Sequence, residues 1–117
     1  GNGGAHAPAV YPAAEPGVVA VTAVDAVGRR YRHANTGEYI DVAAPGVDLW
    51  LANSQGSGSY RSGSSYATAF VTAFMALQAQ SGAINWADNT RDLGEAGRDH
   101  HFGWGLLQWP QTLPTCD

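Results

Sequence analysis

Short runs of apolar residues, bounded by glycine and proline, divide the first half of the chain into candidate strands. The run from Val18 to Val24 follows Pro16-Gly17 and is apolar at both odd and even positions. This pattern predicts a strand of a parallel sheet that is covered on both faces. Two more short strands are predicted from Tyr39 to Ala44 and from Asp48 to Ala52, and a return strand begins near Tyr60.

A longer segment, from Tyr66 to Gln80, is apolar or small at nearly every position and is followed by Gly82. It predicts a helix without a solvent-exposed face, ending at the glycine. The chain is then polar until a glycine-rich closing segment. We expect that segment to pack its side chains against the core at Phe102, Trp104 and Leu106.

Composition narrows the class of protein further. The chain has 117 residues, which fits one domain or a piece of a larger one, and its 44% apolar content supports a core. No apolar run approaches the roughly 20 residues that span a bilayer. A net charge of −4 with no basic cluster beyond Arg29-Arg30 argues against nucleic acid as a partner. Cys116 is the single cysteine, so we expect no disulfide framework and no zinc-binding thiolate cluster.

The start of the predicted helix carries the candidate chemistry. Gly63, Ser64 and Ser65 lead into it, which puts Ser65 in the first turn. Backbone N–H groups there lack helical partners, and the helix dipole favours negative charge. A serine hydroxyl in that place suits acyl transfer, where a tetrahedral oxyanion forms beside the nucleophile. The same residue also suits a helix N-cap, and these residues by themselves leave both interpretations open.

The stretch from Gly63 to Ala73 resembles the nucleophile motif of the subtilisin-like serine proteases (subtilases, peptidase family S8), in which G-T-S-x-A-x-P begins the central helix. Gly63, Ser65 and Ala67 match, and Ser64 replaces a threonine. Ala69-Phe70 stands where many members carry proline and histidine. Other segments resemble the family in the same order along the chain: Gly1-Asn2, Tyr11-Pro12 (where the family places a cis peptide), Val18 to Asp25, Asp41 to Val47, Asp92-Leu93-Gly94, Gly97-Arg98-Asp99 and Phe102 to Gly105.

This resemblance implies a three-layer α/β fold with a mostly parallel sheet and a buried central helix starting at the nucleophile. It implies that Ser65 is the nucleophile and that the Asn2 side chain, with the Ser65 backbone N–H, holds the oxyanion. Gly1, Gly3 and Ser64 are expected to contribute to substrate binding.

The family's catalytic aspartate and histidine precede the asparagine, on segments that this sequence does not contain. Residues 1–117 are therefore expected to be the C-terminal portion of a catalytic domain, and to be inactive in isolation. No Asp-x-Asp-x-Asp loop is present, and we predict neither a metal nor a cofactor.

The expected partners follow from the same resemblance. They are a peptide or protein substrate, the missing N-terminal half of the domain, and a second copy of the chain through exposed sheet edges. Nucleic acid and a membrane-spanning segment are not expected, and family habit implies secretion. The competing hypothesis is a non-catalytic binding or assembly module in which Ser65 only caps the helix.

Two other clusters of polar residues are interpreted as structural. Asp25, His33 and Ser65 occur in the chain order of the family's triad, but Asp25 ends a strand and His33 lies in a basic surface turn. His100-His101 follows Asp99, yet adjacent side chains diverge, so a solvated loop is favoured over a metal pair. His6 lies just beyond Asn2 and is a candidate for the wall of the substrate cleft.

Overall fold

The computed structural model describes residues 1–79 and 82–109. The predicted helix end at Gln80 and the lone Cys116 lie outside those ranges. The elements follow in chain order as β1 (Val21–Val24), β2 (Val42–Pro45), β3 (Leu49–Ala52), β4 (Gly58–Arg61), α1 (Ser64–Gln78), a 3₁₀ turn (Ala87–Asn89), β5 (Thr90–Arg91) and β6 (Leu106–Leu107). No helix in the described ranges has the length and apolar character needed to cross a membrane.

The main sheet has the strand order β1-β2-β6-β5. β1 pairs with β2 in parallel, with Val21 opposite Val42, and β2 pairs in parallel with β6. β5 and β6 are antiparallel, while β3 and β4 form a separate antiparallel hairpin. The four strands predicted in the first half are confirmed, although β1 and β2 are each shorter than their apolar runs. β5 and β6 were not predicted, because a two-residue strand has no periodic pattern of its own.

The core lies between α1 and the strands β1 and β2. Phe74 is fully buried at its centre, and its ring lies 6.3 Å from that of Trp86 and 6.2 Å from that of Trp109. Burial of a side chain of this size stabilises a fold by about 1.5–3 kcal/mol. The other buried members of the cluster are Val21, Ala23, Val42, Ala44, Ala67, Val71 and Leu107.

The helix α1 differs from its prediction in two ways. It begins at Ser64 rather than Tyr66, and only one of its faces is buried, at Ser64, Ala67, Val71 and Phe74. The rest of the helix surface exposes the apolar residues Ala69, Ala73, Met75, Ala76 and Leu77. The prediction of a helix without an exposed face is therefore wrong for this chain. Within the described residues, α1 packs on the sheet from one side.

The closing segment also packs differently from its prediction. Trp104 is 37% exposed and Leu106 is half-buried, whereas Leu107, in β6, belongs to the core. Gly103 has φ of 60°, and a Cβ there would lie 2.2 Å from the backbone of Asp41. The glycine spacing of this segment therefore lets the backbone approach β2 closely, and this sets which side chains face inward.

Candidate active site

The start of α1 is held by the end of β2. Gly63 is the N-cap, and its N–H donates to the carbonyl oxygen of Gly46 at 2.8 Å. A Cβ on Gly46 would lie 2.6 Å from the Cβ of Ala23 and 2.8 Å from the carbonyl oxygen of Gly63. The absence of a side chain at Gly46 therefore permits the contact that fixes where the helix begins. Ser65 is the second helical residue and is exposed to solvent.

Ser65 is not the N-cap of α1. That position belongs to Gly63, which has no side chain with which to cap. Ser65 lies two positions further on, inside the helix, and is exposed to solvent. The interpretation of Ser65 as the N-cap of this helix is therefore wrong.

Asn2 lies against the first turn of α1, 62 positions away in the sequence. Its Oδ1 accepts a hydrogen bond from the backbone N–H of Ser64 at 3.0 Å. Because a backbone N–H can only donate, the carboxamide oxygen must face it. Nδ2 then has no acceptor among residues 1–79 and 82–109. This nitrogen lies 3.8 Å from the point where a Cβ on Gly63 would stand. The side chain of Asn2 is thus oriented by the helix that carries Ser65.

The backbone N–H of Ser65 lies between two N–H groups that are already bonded. The N–H of Ser64 donates to Asn2, and that of Tyr66 donates to the carbonyl of Gly63 at 3.2 Å. Among the described residues the Ser65 N–H has no acceptor, as expected in a first helical turn. No acidic residue lies in that turn, so the positive end of the helix dipole is not offset there. The arrangement can stabilise a negatively charged oxygen beside the Ser65 hydroxyl.

The other predicted site residues differ in their exposure to solvent. Gly3 and His6 are exposed, and Gly1 is half-buried. Ser64 is only 6% exposed, and its carbonyl oxygen accepts a hydrogen bond from the Thr68 hydroxyl at 2.9 Å. Their roles in substrate binding remain predictions.

Asp25 and His33 are engaged elsewhere. The carboxylate of Asp25 accepts hydrogen bonds from the backbone N–H of Arg29 at 2.9 Å, from its Nε at 2.8 Å and from the N–H of Val27 at 3.0 Å. These donors, the backbone N–H of Arg29 foremost, lower the pKa of Asp25. His33 Nε2 accepts from Nε of Arg32 at 2.9 Å. Neither residue bonds to Ser65 in the described part of the chain, so the site has no substitute triad.

Asp99 closes a turn of the backbone. Its Oδ1 accepts from the N–H groups of His101 at 2.8 Å and Phe102 at 2.7 Å, and its Oδ2 accepts from that of Glu95 at 3.1 Å. His100 faces the carboxylate of Glu38 at 3.8 Å. Residues 1–79 and 82–109 contain no group of three or more His, Cys, Asp and Glu side chains that could hold a metal ion.

The sequence patterns did not identify one residue near the site, Asn35. Asn35 is 1% exposed and bonds to the loop that carries Asn2. The Asn-Thr-Gly sequence at this place is typical of a turn. It carries no signal for the hydrogen bond to Gly3, which lies 32 positions away.

These features define a class of protein. It has an α/β fold in which a helix packs on two parallel strands, and the first turn of that helix carries an exposed serine and binds a carboxamide. The model of the Subtilase family (Peptidase_S8) matches residues 1–105, and the chain belongs to that family. The Tyr11-Pro12 peptide bond is cis, as the resemblance implied.

Relatives with known names agree with this assignment. The chain is similar to the minor extracellular protease Epr of Bacillus subtilis (strain 168), with 34% identity over 93% of this chain and 18% of that protein. It is similar to a thermophilic serine proteinase of Bacillus sp. (strain AK1), with 39% identity over 63% of this chain and 18% of that protein. It is 31% identical to subtilisin of Bacillus pumilus over 92% of this chain, and covers 41% of that relative.

Solved structures confirm the subtilisin-like α/β fold. One is MycP1 with its N-terminal propeptide removed, with a TM-score of 0.67, 21% identity and coverage of 84% of this chain and 37% of that one. Another is PagA, a prenylagaramide maturation protease, with a TM-score of 0.66, 24% identity and coverage of 84% and 42%. The chain thus spans less than half the length of each of these proteins and of the three relatives above.

Proposed function

We propose that this chain is the C-terminal portion of the catalytic domain of a serine endopeptidase, and that it supplies the nucleophile and the oxyanion hole. One observation carries the proposal. Ser65 is exposed in the first turn of α1. The backbone N–H of the adjacent Ser64 donates to Asn2 Oδ1 at 3.0 Å and so holds the Asn2 carboxamide at the same helix turn. Family membership supports the same assignment.

The proposed reaction begins when Ser65 Oγ attacks the carbonyl carbon of a peptide bond. The hydroxyl proton passes to a general base, for which we propose a histidine in the rest of the catalytic domain. The carbonyl oxygen becomes negatively charged and accepts hydrogen bonds from Asn2 Nδ2 and the Ser65 N–H. As the C–N bond of this intermediate breaks, the protonated base gives its proton to the departing nitrogen, so that an amine leaves and an acyl-enzyme remains. Water then attacks the ester while the same base takes a proton from it and returns one to Ser65 Oγ, which releases a carboxylic acid and restores the Ser65 hydroxyl.

The proposed substrate is a peptide or protein segment lying along the loop that starts at Gly1. Gly3 is exposed there, and a residue without a side chain allows close approach of another backbone. Ser64 contributes through its buried N–H, which orients Asn2. We also propose that the protein is secreted, because the relative Epr is described as extracellular.

A fluorophosphonate probe tests this function directly. In the full-length parent protein, we expect covalent label on Ser65, identified by mass spectrometry of the labelled peptide. In the isolated chain we expect no label above that of a free serine, because general-base assistance contributes typically about 10²–10⁴ and the base lies elsewhere. Folded parent protein that takes no label on Ser65 would contradict the proposal and favour a binding or assembly module.

We further propose that the rest of the catalytic domain covers the exposed apolar face of α1. That face carries Ala69, Ala73, Ala76 and Leu77. Contiguous exposed apolar surface usually marks an interface. β1 is also an edge strand among the described residues, and a free strand edge can pair with another chain.

The isolated chain is therefore expected to self-associate, and sedimentation velocity measures this. Ala73→Lys places a charge on the exposed face of α1 and should raise the monomer fraction. Ser54→Lys adds the same charge to the exposed turn between β3 and β4, and should leave the distribution unchanged. A clean monomer of the unaltered chain at micromolar concentration would contradict this proposal.

A further inference from the structure

The loop that carries Asn2 is fastened to a second loop, which precedes β2. The backbone N–H of Gly4 donates to the carbonyl oxygen of His33 at 2.7 Å. The hydroxyl of Thr36 donates to the carbonyl oxygen of Ala5 at 2.7 Å. These bonds join the two loops across about thirty positions of the sequence.

Asn35 binds the backbone on both sides of Asn2. Its own N–H donates to the carbonyl oxygen of Gly1 at 3.1 Å, and its Oδ1 accepts from the N–H of Gly3 at 2.7 Å. Its Nδ2 donates to the carbonyl oxygen of Pro8 at 3.3 Å. Asn35 is 1% exposed, and its backbone N–H, Oδ1 and Nδ2 all bond to the loop that carries Asn2. A buried polar side chain that is held at both its oxygen and its nitrogen fixes local geometry.

The loop also fits the shape of the Asn35 side chain. A Cβ on Gly1 would lie 2.7 Å from Asn35 Nδ2 and 2.8 Å from its Cγ. A Cβ on Gly3 would lie 3.3 Å from Asn35 Oδ1. The backbone on either side of Asn2 therefore rests directly on this side chain, and removal of the side chain leaves space into which the loop can shift.

We propose that Asn35 is a positioning residue for the oxyanion hole, acting through Asn2. It clamps the peptide units that flank Asn2, while the Ser64 N–H holds the Asn2 carboxamide at 3.0 Å. The two restraints together place Nδ2 at a fixed point relative to the Ser65 N–H. The inference rests on the proposed function, since it assigns Asn35 a part in the same site.

The kinetic test uses the full-length parent protein with Asn35→Ala, and kcat is counted per fluorophosphonate-titrated site. A displacement of about 1 Å in a catalytic group can cost 10²-fold, so we expect kcat to fall about 10- to 100-fold. KM should stay within about twofold, because an oxyanion donor acts on the transition state rather than on ground-state binding. Titration removes any misfolded fraction from the comparison.

A double-variant cycle separates positioning from a general structural role. If Asn35 acts through Asn2, then Asn35→Ala should lower kcat in the wild type but change it less than about threefold in an Asn2→Ala background. Equal losses in both backgrounds would overturn the inference. If Asn35→Ala yields no titratable enzyme, Asn35→Asp replaces it in the same cycle. Asn35→Asp keeps the side-chain size and the acceptor for Gly3, and loses the amide donor to Pro8.

Thr36→Val is the matched control. It removes the bond to Ala5 from the same pair of loops but leaves both peptide units beside Asn2 untouched. We expect its kcat to stay within about threefold of wild type, as for an interaction outside the reacting groups. A loss as large as that of Asn35→Ala would show that any loosening of the loop suffices, and would overturn the inference.

Failure of the inference is distinguishable from failure of the proposed function. A wild-type parent protein that neither labels on Ser65 nor hydrolyses peptides overturns both. A wild-type parent that labels and hydrolyses, and that is sensitive to Asn2→Ala but not to Asn35→Ala, overturns the inference alone.

Discussion

Ser65→Ala in the full-length parent protein is expected to abolish nearly all peptide hydrolysis. Removal of the nucleophile in subtilisin lowers kcat by about 2 × 10⁶, a value measured on that relative, and we expect a loss of the same order here. The acyl-enzyme cannot form without the oxygen, although binding and oxyanion stabilisation leave a residual rate above that of water. Because Ser65 is exposed, the folded structure and the thermal midpoint should change little.

The measurement is kcat on a chromogenic peptide, with the thermal midpoint of each variant as the check on folding. Ser62→Ala is the matched control. Ser62 lies three positions before Ser65, and its hydroxyl accepts a hydrogen bond from the backbone N–H of Asp48 at 2.9 Å. The control should keep kcat within about threefold of wild type. A Ser65→Ala enzyme that retains more than about 1% of the wild-type kcat would show that another group is the nucleophile.

Two substitutions of Asn2 separate its donor from its acceptor. Asn2→Ala removes both, so the Ser64 N–H loses its partner and the donor to the oxyanion is lost. Loss of one such donor lowers kcat by about 10²–10³, again a magnitude measured on subtilisin. The lost bond to the helix start should also cost about 0.5–2 kcal/mol of stability, the usual range for a helix cap.

Asn2→Asp retains an oxygen for the Ser64 N–H but has no N–H to offer, and it adds a negative charge where the oxyanion forms. We expect kcat to fall at least as far as in Asn2→Ala, while the thermal midpoint stays closer to wild type because the cap remains. Both quantities are measured on the same preparations. If Asn2→Asp retains wild-type kcat, Asn2 is not an oxyanion donor, and its role is confined to capping α1.

The sequence predicted the candidate site through local patterns. Gly63-Ser64-Ser65 and the small residues after it marked a helix start with a hydroxyl, and the structure has that helix beginning at Ser64. Asn2 was identified as a candidate oxyanion donor only from the order of the family motifs, because Gly-Asn-Gly-Gly by itself indicates a turn. Asn35 had no signal at all, since its contacts lie about thirty positions away.

The sequence by itself determined the early strands, the helix and the identity of the groups that can act, because hydrophobic periodicity and turn residues act over a few positions. The α/β class followed from the order of the family motifs. Tertiary structure decided which of those groups meet. Asn2 and Ser64 are 62 positions apart and join by one hydrogen bond, and Gly46 allows the end of β2 to hold the start of α1. Tertiary packing also decided that α1 keeps an exposed apolar face. Burial depends on what packs against a residue, which the pattern within a single segment does not record.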